Sequence, residues 1–164
     1  MNERKLLIIL ITVFAIISAA ILSEIWLNNG LAEGGEYFIF CKPGSRVNVR
    51  NKAKKSSSVT AWVECGQPVT VDGEKNGFVH VTGLASEEPD GWIFAGYIVD
   101  EEPVIETYRA EVWEGPVIVR KSVNGKQIRK LKDGQEVTVY AKTHMWAVTD
   151  KGFIMCDWLR EKSQ

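Results

Sequence analysis

The sequence contains little of the chemistry that most enzymes and metalloproteins need. Its 164 residues include two histidines and three cysteines, and none of them has the spacing of ligands in a structural zinc site. His80 and His144 occur in unlike contexts. Cys156 and His144 could be paired as thiol and base, but Cys156 falls in a strand-like segment. We therefore predict a non-enzymatic protein with no catalytic residue, no metal and no cofactor.

Long helical periodicity is also missing after residue 27. Hydrophobic residues instead form short runs rich in valine, threonine and aromatics, separated by turn signals such as Asn124-Gly125 and Asp133-Gly134. Within Val137–Tyr140 apolar and polar residues alternate, as in a strand with one buried face. Several short strands with frequent turns predict an all-β fold of small barrels.

The N-terminus differs, because residues 6–22 form an uncharged and almost wholly apolar run. Its length is near the lower limit for a spanning helix, and the two basic residues before it favour a cytoplasmic N-terminus. We predict a signal-anchor or transmembrane segment over 1–27, a flexible linker over 28–36, and an extracytoplasmic remainder. The alternative is a signal peptide cleaved at Ser18-Ala19-Ala20, which would give a secreted product.

Three sequence blocks occur twice in the same order. They are Val47–Arg50 and Val117–Arg120, Gly66–Val71 and Gly134–Val139, and Gly91–Ile98 and Gly152–Leu159. The order is kept while the loops between the blocks differ in length. The chain is therefore interpreted as two copies of one small module.

The repeated pattern resembles the bacterial SH3 domain, often called SH3b. The shared elements are Val-x-Val-Arg, then Gly-Gln-x-Val-Thr-Val, then Gly-aromatic-Ile followed by an aromatic and an aliphatic residue. The resemblance implies two tandem SH3-like barrels, 37–100 and 108–164, joined by the acidic linker 101–107. It also implies an extracytoplasmic role in targeting, since such domains often accompany cell-wall enzymes. The Arg-Ser-Gly-Pro continuation common after Val-Arg is absent from both copies, so no ligand residue is carried over from the family.

The net charge of −1 conceals an uneven distribution. Residues 37–100 carry seven basic and seven acidic groups, whereas residues 108–164 carry eleven basic and seven acidic groups. Basic residues cluster in the same loop of both copies, either as a solvated face or as an electrostatic site for an anionic polymer. No sequence signature of a nucleic-acid-binding fold accompanies them, so nucleic acid is not an expected partner.

The candidate ligand-binding residues combine these cations with two tryptophans. Trp62 and Trp113 lack an aromatic residue at the matching position of the other copy, so a shared core does not account for them. The candidate set is Arg50, Lys52, Lys54, Lys55, Trp62, Trp113, Arg120, Lys121, Lys126 and Arg129. The aromatics predicted as core are Phe78, Trp92, Tyr97, Trp146, Phe153 and Trp158.

Cys41 and Cys65 are a possible disulfide pair of the first copy, because an external location permits such a bridge. The repeat supplies a counterargument. The aligned positions of the second copy are Glu111 and Asp133, and two touching carboxylates would cost free energy. Both the bridged and the free state of this pair stay open.

The sequence as a whole predicts a membrane-anchored extracytoplasmic protein whose tandem modules bind cell-wall material, either peptidoglycan or an anionic wall polymer. Two tethered weak sites would reinforce each other through effective concentration. One alternative is an envelope adaptor or regulatory protein that binds another protein. A further alternative is an accessory or enzyme of cell-wall hydrolysis.

Overall fold

The structure is a computed structural model that describes residues 31, 34–84 and 90–162. The predicted membrane segment, most of the predicted flexible linker and residues 85–89 of the first copy lie outside these residues. Within the described ranges, no helix has the length and apolar character needed to cross a membrane.

The first module is an antiparallel sheet of seven strands. Its elements are β1 (Gly35–Ile39), β2 (Arg46–Arg50), β3 (Val59–Glu64), β4 (Pro68–Lys75), β5 (Phe78–Thr82), β6 (Gly91–Phe94), a 3-10 turn (Ala95–Tyr97) and β7 (Ile98–Val99). The hydrogen-bonded order is β3-β2-β6-β5-β4-β1-β7. Inward-facing valines on β2 and β4 supply part of its core, as the alternating sequence predicts.

The second module repeats this arrangement strand for strand. Its elements are β8 (Tyr108–Val112), β9 (Val117–Arg120), β10 (Gln127–Leu131), β11 (Glu136–Lys142), β12 (Trp146–Thr149), β13 (Gly152–Met155), a 3-10 turn (Cys156–Trp158) and β14 (Leu159–Glu161). The order is β10-β9-β13-β12-β11-β8-β14. The all-β prediction is confirmed, and the two copies inferred from the repeated blocks fold into two sheets of the same topology.

Strand register fixes which residues of the two modules are equivalent. The backbone amide of Phe40 donates to the carbonyl oxygen of Tyr97 at 2.8 Å, and that of Trp113 donates to Trp158 at 2.9 Å. Phe40 and Trp113 therefore occupy equivalent positions. The prediction that Trp113 lacks an aromatic counterpart is wrong, because the loop after β1 is longer than the loop after β8 and hides the match in the sequence.

The two modules share a hydrophobic core between them. Phe40 of the first module lies edge-on against Phe153 of the second, with ring centroids 5.7 Å apart. Val99 and Trp146 belong to the same buried cluster. Residues 32–164 form one compact unit. The two modules are therefore packed together, whereas the sequence predicted two separately tethered sites.

The acidic linker 101–107 is bound along the second module. Val104 and Lys142 exchange two backbone hydrogen bonds of 2.8 and 2.9 Å. The carboxylate of Glu101 accepts hydrogen bonds from the backbone amide and the imidazole Nδ1 of His144. The linker is thus attached at two points and positions the second module beside the first.

Candidate binding cleft

A cleft of about 460 Å³ opens where the two modules meet. Its charged lining residues are all cationic, and none of the carboxylates in the described part of the chain lines it. The lining residues are Cys41, Ser45, Arg46, Val47, Asn48, Arg50, Lys55, Phe78, Phe94, Tyr97, Lys121, Ser122, Gly125 and Lys126. The last four belong to the second module, so the site is built by both halves of the chain.

Three aromatic side chains, which we call the aromatic floor, line the first module's part of the cleft. Phe94 packs edge-on against Phe78 and Tyr97, with ring centroids 5.7 and 6.1 Å apart. Burial, and to a lesser extent the nearby Cys41, raises the pKa of Tyr97, so its phenol is neutral and can donate a hydrogen bond. The floor therefore offers apolar faces together with one polar group.

Alternation along β2 places polar side chains around this floor. Val47 and Val49 are buried, so the residues that alternate with them, Arg46, Asn48 and Arg50, lie on the outer face of the strand. All three outward residues line the cleft. The period of two in a strand thus converts the Val-x-Val-Arg motif into a buried anchor with a cationic outer face.

The second module closes one side of the cleft with the loop between β9 and β10. The backbone amide of Val123 donates to the carbonyl oxygen of Gly96 at 3.1 Å, and Ser122 is buried with 2% of its surface exposed. A Cβ atom at Gly96 would lie 2.5 Å from the Ser122 hydroxyl oxygen, so only glycine permits this approach. The docked loop carries Lys121 and Lys126 to the cleft.

Two predicted ligand residues, Arg50 and Arg120, support their own loops. Arg50 donates through Nη1 to the carbonyl oxygen of Ser57 at 2.7 Å. Arg120 donates in the same way to Gly125 at 2.9 Å. The equivalent arginines thus have the same structural role in both modules, in addition to any contact with a ligand.

The other predicted cations fall into two groups. Those that line the cleft are Lys55, Lys121 and Lys126. Those that are exposed outside its lining are Lys52, Lys54 and Arg129. The first group comes from loops of both modules and is brought together in one site.

The two predicted tryptophans lie outside the cleft lining. Trp62 on β3 pairs with Asn48 on β2, and the guanidinium carbon of Arg46 lies 5.8 Å from the centre of its ring. Trp62 therefore extends the exposed face next to the cleft. Trp113 is on the second module, where the guanidinium of Arg160 stacks on its ring.

A smaller groove of about 180 Å³ lies at the equivalent place on the second module. Strand register, together with the loops and turns next to the matched strands, pairs each of its eight lining residues with a residue of the cleft. The matches are Glu114 with Cys41, Pro116 with Arg46, Val117 with Val47, Ile118 with Asn48, Arg120 with Arg50, Trp146 with Phe78, Met155 with Phe94, and Trp158 with Tyr97. The groove keeps an apolar floor but has a carboxylate and fewer cations at its edge.

Sequence reasoning missed the aromatic floor and Gly96. Phe78 and Tyr97 lie on or beside strands, so the sequence predicts both as core, although both line the cleft. The available signal was the alternation within β6, because a buried Ile93 requires Phe94 to face outward. The core prediction is wrong for Trp158, which is exposed on the second groove.

The two cysteines predicted as a possible disulfide pair meet beside the cleft. Both are free thiols, and the hydrogen bond between them raises the pKa of Cys41 and lowers that of Cys65 to about 7. Cys41 is equivalent to Glu114 and not to the predicted Glu111, whereas Cys65 stays matched with Asp133, so the second copy still has two carboxylates at these positions. The bridged state stays a prediction for oxidising conditions.

Cys156 and His144 do not form the thiol and base pair considered from the sequence. The Cys156 sulfur donates to the carbonyl oxygen of Thr143 at 3.4 Å, and burial raises the pKa of this thiol to about 11. His144 Nδ1 lies 2.5 Å from the Glu101 carboxylate. The thiol is therefore protonated at neutral pH, and the imidazole is bound to another partner.

Comparison with known proteins gives one family match, to residues 45–99, which match the family described as Bacterial SH3 domain. No curated protein matches the chain. NlpC2 from Trichomonas vaginalis is 21% identical with a TM-score of 0.33, over 81% of this chain and 50% of that one. NlpC1 from Trichomonas vaginalis is 20% identical with a TM-score of 0.32, over 82% and 48%. The endolysin LysPBC5 CBD is 11% identical with a TM-score of 0.31, over 80% and 96%.

This chain spans about half the length of the two Trichomonas vaginalis proteins. The family match extends from the residue before β2 to the end of β7 and includes the whole aromatic floor. The bacterial SH3 resemblance predicted from the sequence is therefore confirmed for residues 45–99, the main part of the first module.

Proposed function

We propose that this chain is a non-catalytic, extracytoplasmic binding protein that recognises cell-wall material. The observation that carries the proposal is the cleft, in which cations from both modules surround an aromatic floor. The match of the first module to bacterial SH3 domains supports the same function, since such domains often target proteins to the wall. Stacking faces next to fixed charges suit a polymer that combines rings and ionic groups.

The apolar run over residues 6–22 supports a membrane-anchored form of this protein. In that form the N-terminus is cytoplasmic and the two modules face the wall, which places the cleft next to its ligand. Secretion after cleavage of the run is the alternative, and it leaves the two modules and their cleft unchanged.

Sedimentation with purified peptidoglycan sacculi tests the proposed function. We expect the chain to pellet with sacculi at low and moderate salt, and Phe94→Ser to reduce the pelleted fraction by about tenfold because the floor loses a ring face. Ile128→Ser is the matched control: the two side chains are 42% and 47% exposed, and Ile128 does not line the cleft. A chain that stays in the supernatant at both salt concentrations would contradict wall binding.

An envelope adaptor is the second candidate, and the exposed face of the second module favours it. Trp113 and Trp158 are 37% and 40% exposed. Their equivalents in the first module, Phe40 and Tyr97, pack against Phe153 of the second. In the first module this aromatic face is therefore covered by a protein surface, whereas the equivalent face of the second module is exposed. Two results together would favour this adaptor function. The chain would fail to pellet with sacculi, and in intact envelopes it would crosslink to another protein unless Trp158→Ser is introduced.

A further inference from the structure

We infer that Lys121 and Lys126 of the second module complete the binding site of the first, and that this composite site takes an anionic glycan. The inference rests on the proposed function and specifies its ligand. The sequence assigned these lysines to a site on their own module, whereas the docked loop brings them to the aromatic floor of the other.

Hydrogen bonds within the loop between β9 and β10, and between this loop and the first module, fix the position of the two lysines. Lys121 donates its backbone amide to the carbonyl oxygen of Lys126 at 3.0 Å, which closes the loop. Arg120 and Gly125 add a hydrogen bond of 2.9 Å across the same turn. The loop is held to the first module at Gly96. The two lysines are therefore carried by a hydrogen-bonded loop that is fixed to the first module, which distinguishes them from lysines on a mobile surface segment.

The charge of the site favours an anion. Arg46 has an exposed ion pair with Glu64 at 3.5 Å. Lys55, Lys121 and Lys126 form no ion pair with any carboxylate of the described residues, which leaves their charge available to a ligand. A cluster of like charges costs free energy unless a counter-charge neutralises it, so a bound anion stabilises the site.

The floor narrows the class of anion. Phe94 and Tyr97 provide ring faces, and Asn48 provides both a donor and an acceptor for hydroxyl groups. A free inorganic anion would use only the lysines. A polymer that alternates sugar or polyol units with phosphodiester or carboxylate groups would use the floor and the cations together, and we assign the site to such a polymer.

The second groove provides an internal comparison. It has the equivalent floor, but Glu114 lies at its edge. Its 3-10 turn has Asp157 where the first module has Gly96, and a side chain at this position would collide with a docked loop. The second groove therefore lacks the lysines of a docked loop and has a carboxylate in its lining, so it should not select anions.

The experiment compares two double variants that remove the same charge from the same module. Lys121→Gln with Lys126→Gln acts on the composite site, whereas Lys130→Gln with Lys132→Gln removes two exposed lysines outside its lining. Binding is measured by sedimentation with intact sacculi and with sacculi from which hydrofluoric acid has removed the phosphodiester-linked polymers. A carboxylate polymer, polygalacturonate, is added as a competitor in a third arm.

We expect the first double variant to lose about tenfold in affinity for intact sacculi, and the second to lose less than about twofold. Wild-type affinity should fall by a similar factor on the stripped sacculi if the anion is a phosphodiester. If the anion is a carboxylate, polygalacturonate should compete and stripping should have little effect. Gly96→Ala, whose Cβ collides with Ser122 and displaces the loop without changing any charge, should match the first double variant.

Equal losses in the two double variants would overturn the composite site, since they would indicate general attraction between charges. Wild-type binding that neither stripping nor the competitor weakens would overturn the anionic ligand while leaving wall binding intact. Binding to anionic lipid vesicles at the same affinity as to sacculi would overturn the glycan assignment, because a lipid surface supplies negative charge without sugar or polyol units. No binding to intact sacculi would instead contradict the proposed function itself.

Discussion

At the residue scale, Cys65 is a thiol whose pKa lies well below that of an unperturbed cysteine. Its sulfur is hydrogen-bonded to Cys41, which stabilises the thiolate relative to the thiol and lowers the pKa to about 7. Burial acts in the opposite direction but is the smaller effect. Cys41 is buried and its pKa is raised, so it remains protonated, and its sulfur also donates to the carbonyl oxygen of Ser45 at 3.8 Å.

We predict that iodoacetamide modifies Cys65 with a pH dependence whose midpoint is about 7. In Cys41→Ala the hydrogen bond is lost, and the midpoint should move towards the ordinary value of 9.0. Peptide mass spectrometry after timed alkylation measures the rate at each residue. The same midpoint in both proteins would show that Cys41 does not control the reactivity of Cys65.

Residue-scale predictions from the sequence succeeded where strand alternation fixes the direction of a side chain. Val47 and Val49 are buried as the repeated motif predicts. The prediction failed for Trp113 because its match, Phe40, is found only through the hydrogen bonds of each residue with its 3-10 turn. It also could not assign Lys121 to the first module, because sequence does not show across which surface a loop will dock.

At the scale of elements, the linker between the modules is held by one charged contact as well as by backbone pairing. Glu101 accepts two hydrogen bonds from His144. Burial is the largest single effect and raises the pKa of this carboxyl, but the hydrogen bonds and the charge of its surroundings, chiefly from His144, together outweigh it, and the pKa lies below its ordinary value of 4.5. The contact therefore stabilises the folded state above that pH and is lost as the pH falls and Glu101 is protonated.

We predict that Glu101→Gln lowers the free energy of unfolding at pH 7 by less than about 1 kcal/mol, because the contact is partly exposed. The stability difference should shrink as the pH falls through the lowered pKa of Glu101 and vanish once the wild-type carboxyl is protonated. Urea unfolding followed by tryptophan fluorescence at pH 7 and over a series of acidic pH values measures the difference. A stability difference that is unchanged at acidic pH would exclude a charged contact.

Most strands could be predicted from the sequence, and β10 shows why one could not. Of its five residues, Gln127–Leu131, only the last is buried, so the segment has no alternation of apolar and polar residues to signal a strand. Its existence depends on pairing with β9, which is a tertiary effect. The sequence likewise did not predict the 3-10 turns, although the first contributes Tyr97 to the cleft and the second contributes Trp158 to the second groove.

At the scale of the whole molecule, the shared core makes the two modules depend on each other. Phe40 is fully buried and packs on Phe153 across the boundary. The repeat predicted two modules correctly but not their contact, because each copy taken alone satisfies the same pattern. Phe40 is buried in this contact, whereas Trp113 at the equivalent position of the second module is exposed. A comparison of the two copies by sequence does not reveal this difference.

We predict that Phe40→Ala destabilises the chain by about 3 to 5 kcal/mol, as expected for loss of a buried aromatic side chain. Because the shared core couples the two modules, the wild type should unfold in a single transition. Without the Phe40 ring the modules should unfold separately, in two transitions. Differential scanning calorimetry of the full chain measures this, with Val81→Ala as a control inside the first module. Two separate transitions already present in the wild type would contradict the mutual dependence.

The difference between Gly96 and Asp157 gives the pair of modules a direction. The first module receives a loop at its 3-10 turn, and the second has a side chain where such a loop would have to sit. The modules are therefore not interchangeable, and exchanging their order along the chain would remove the cleft even if both sheets still folded. The two similar modules therefore form an ordered pair, in which the second must supply the loop and the first must receive it.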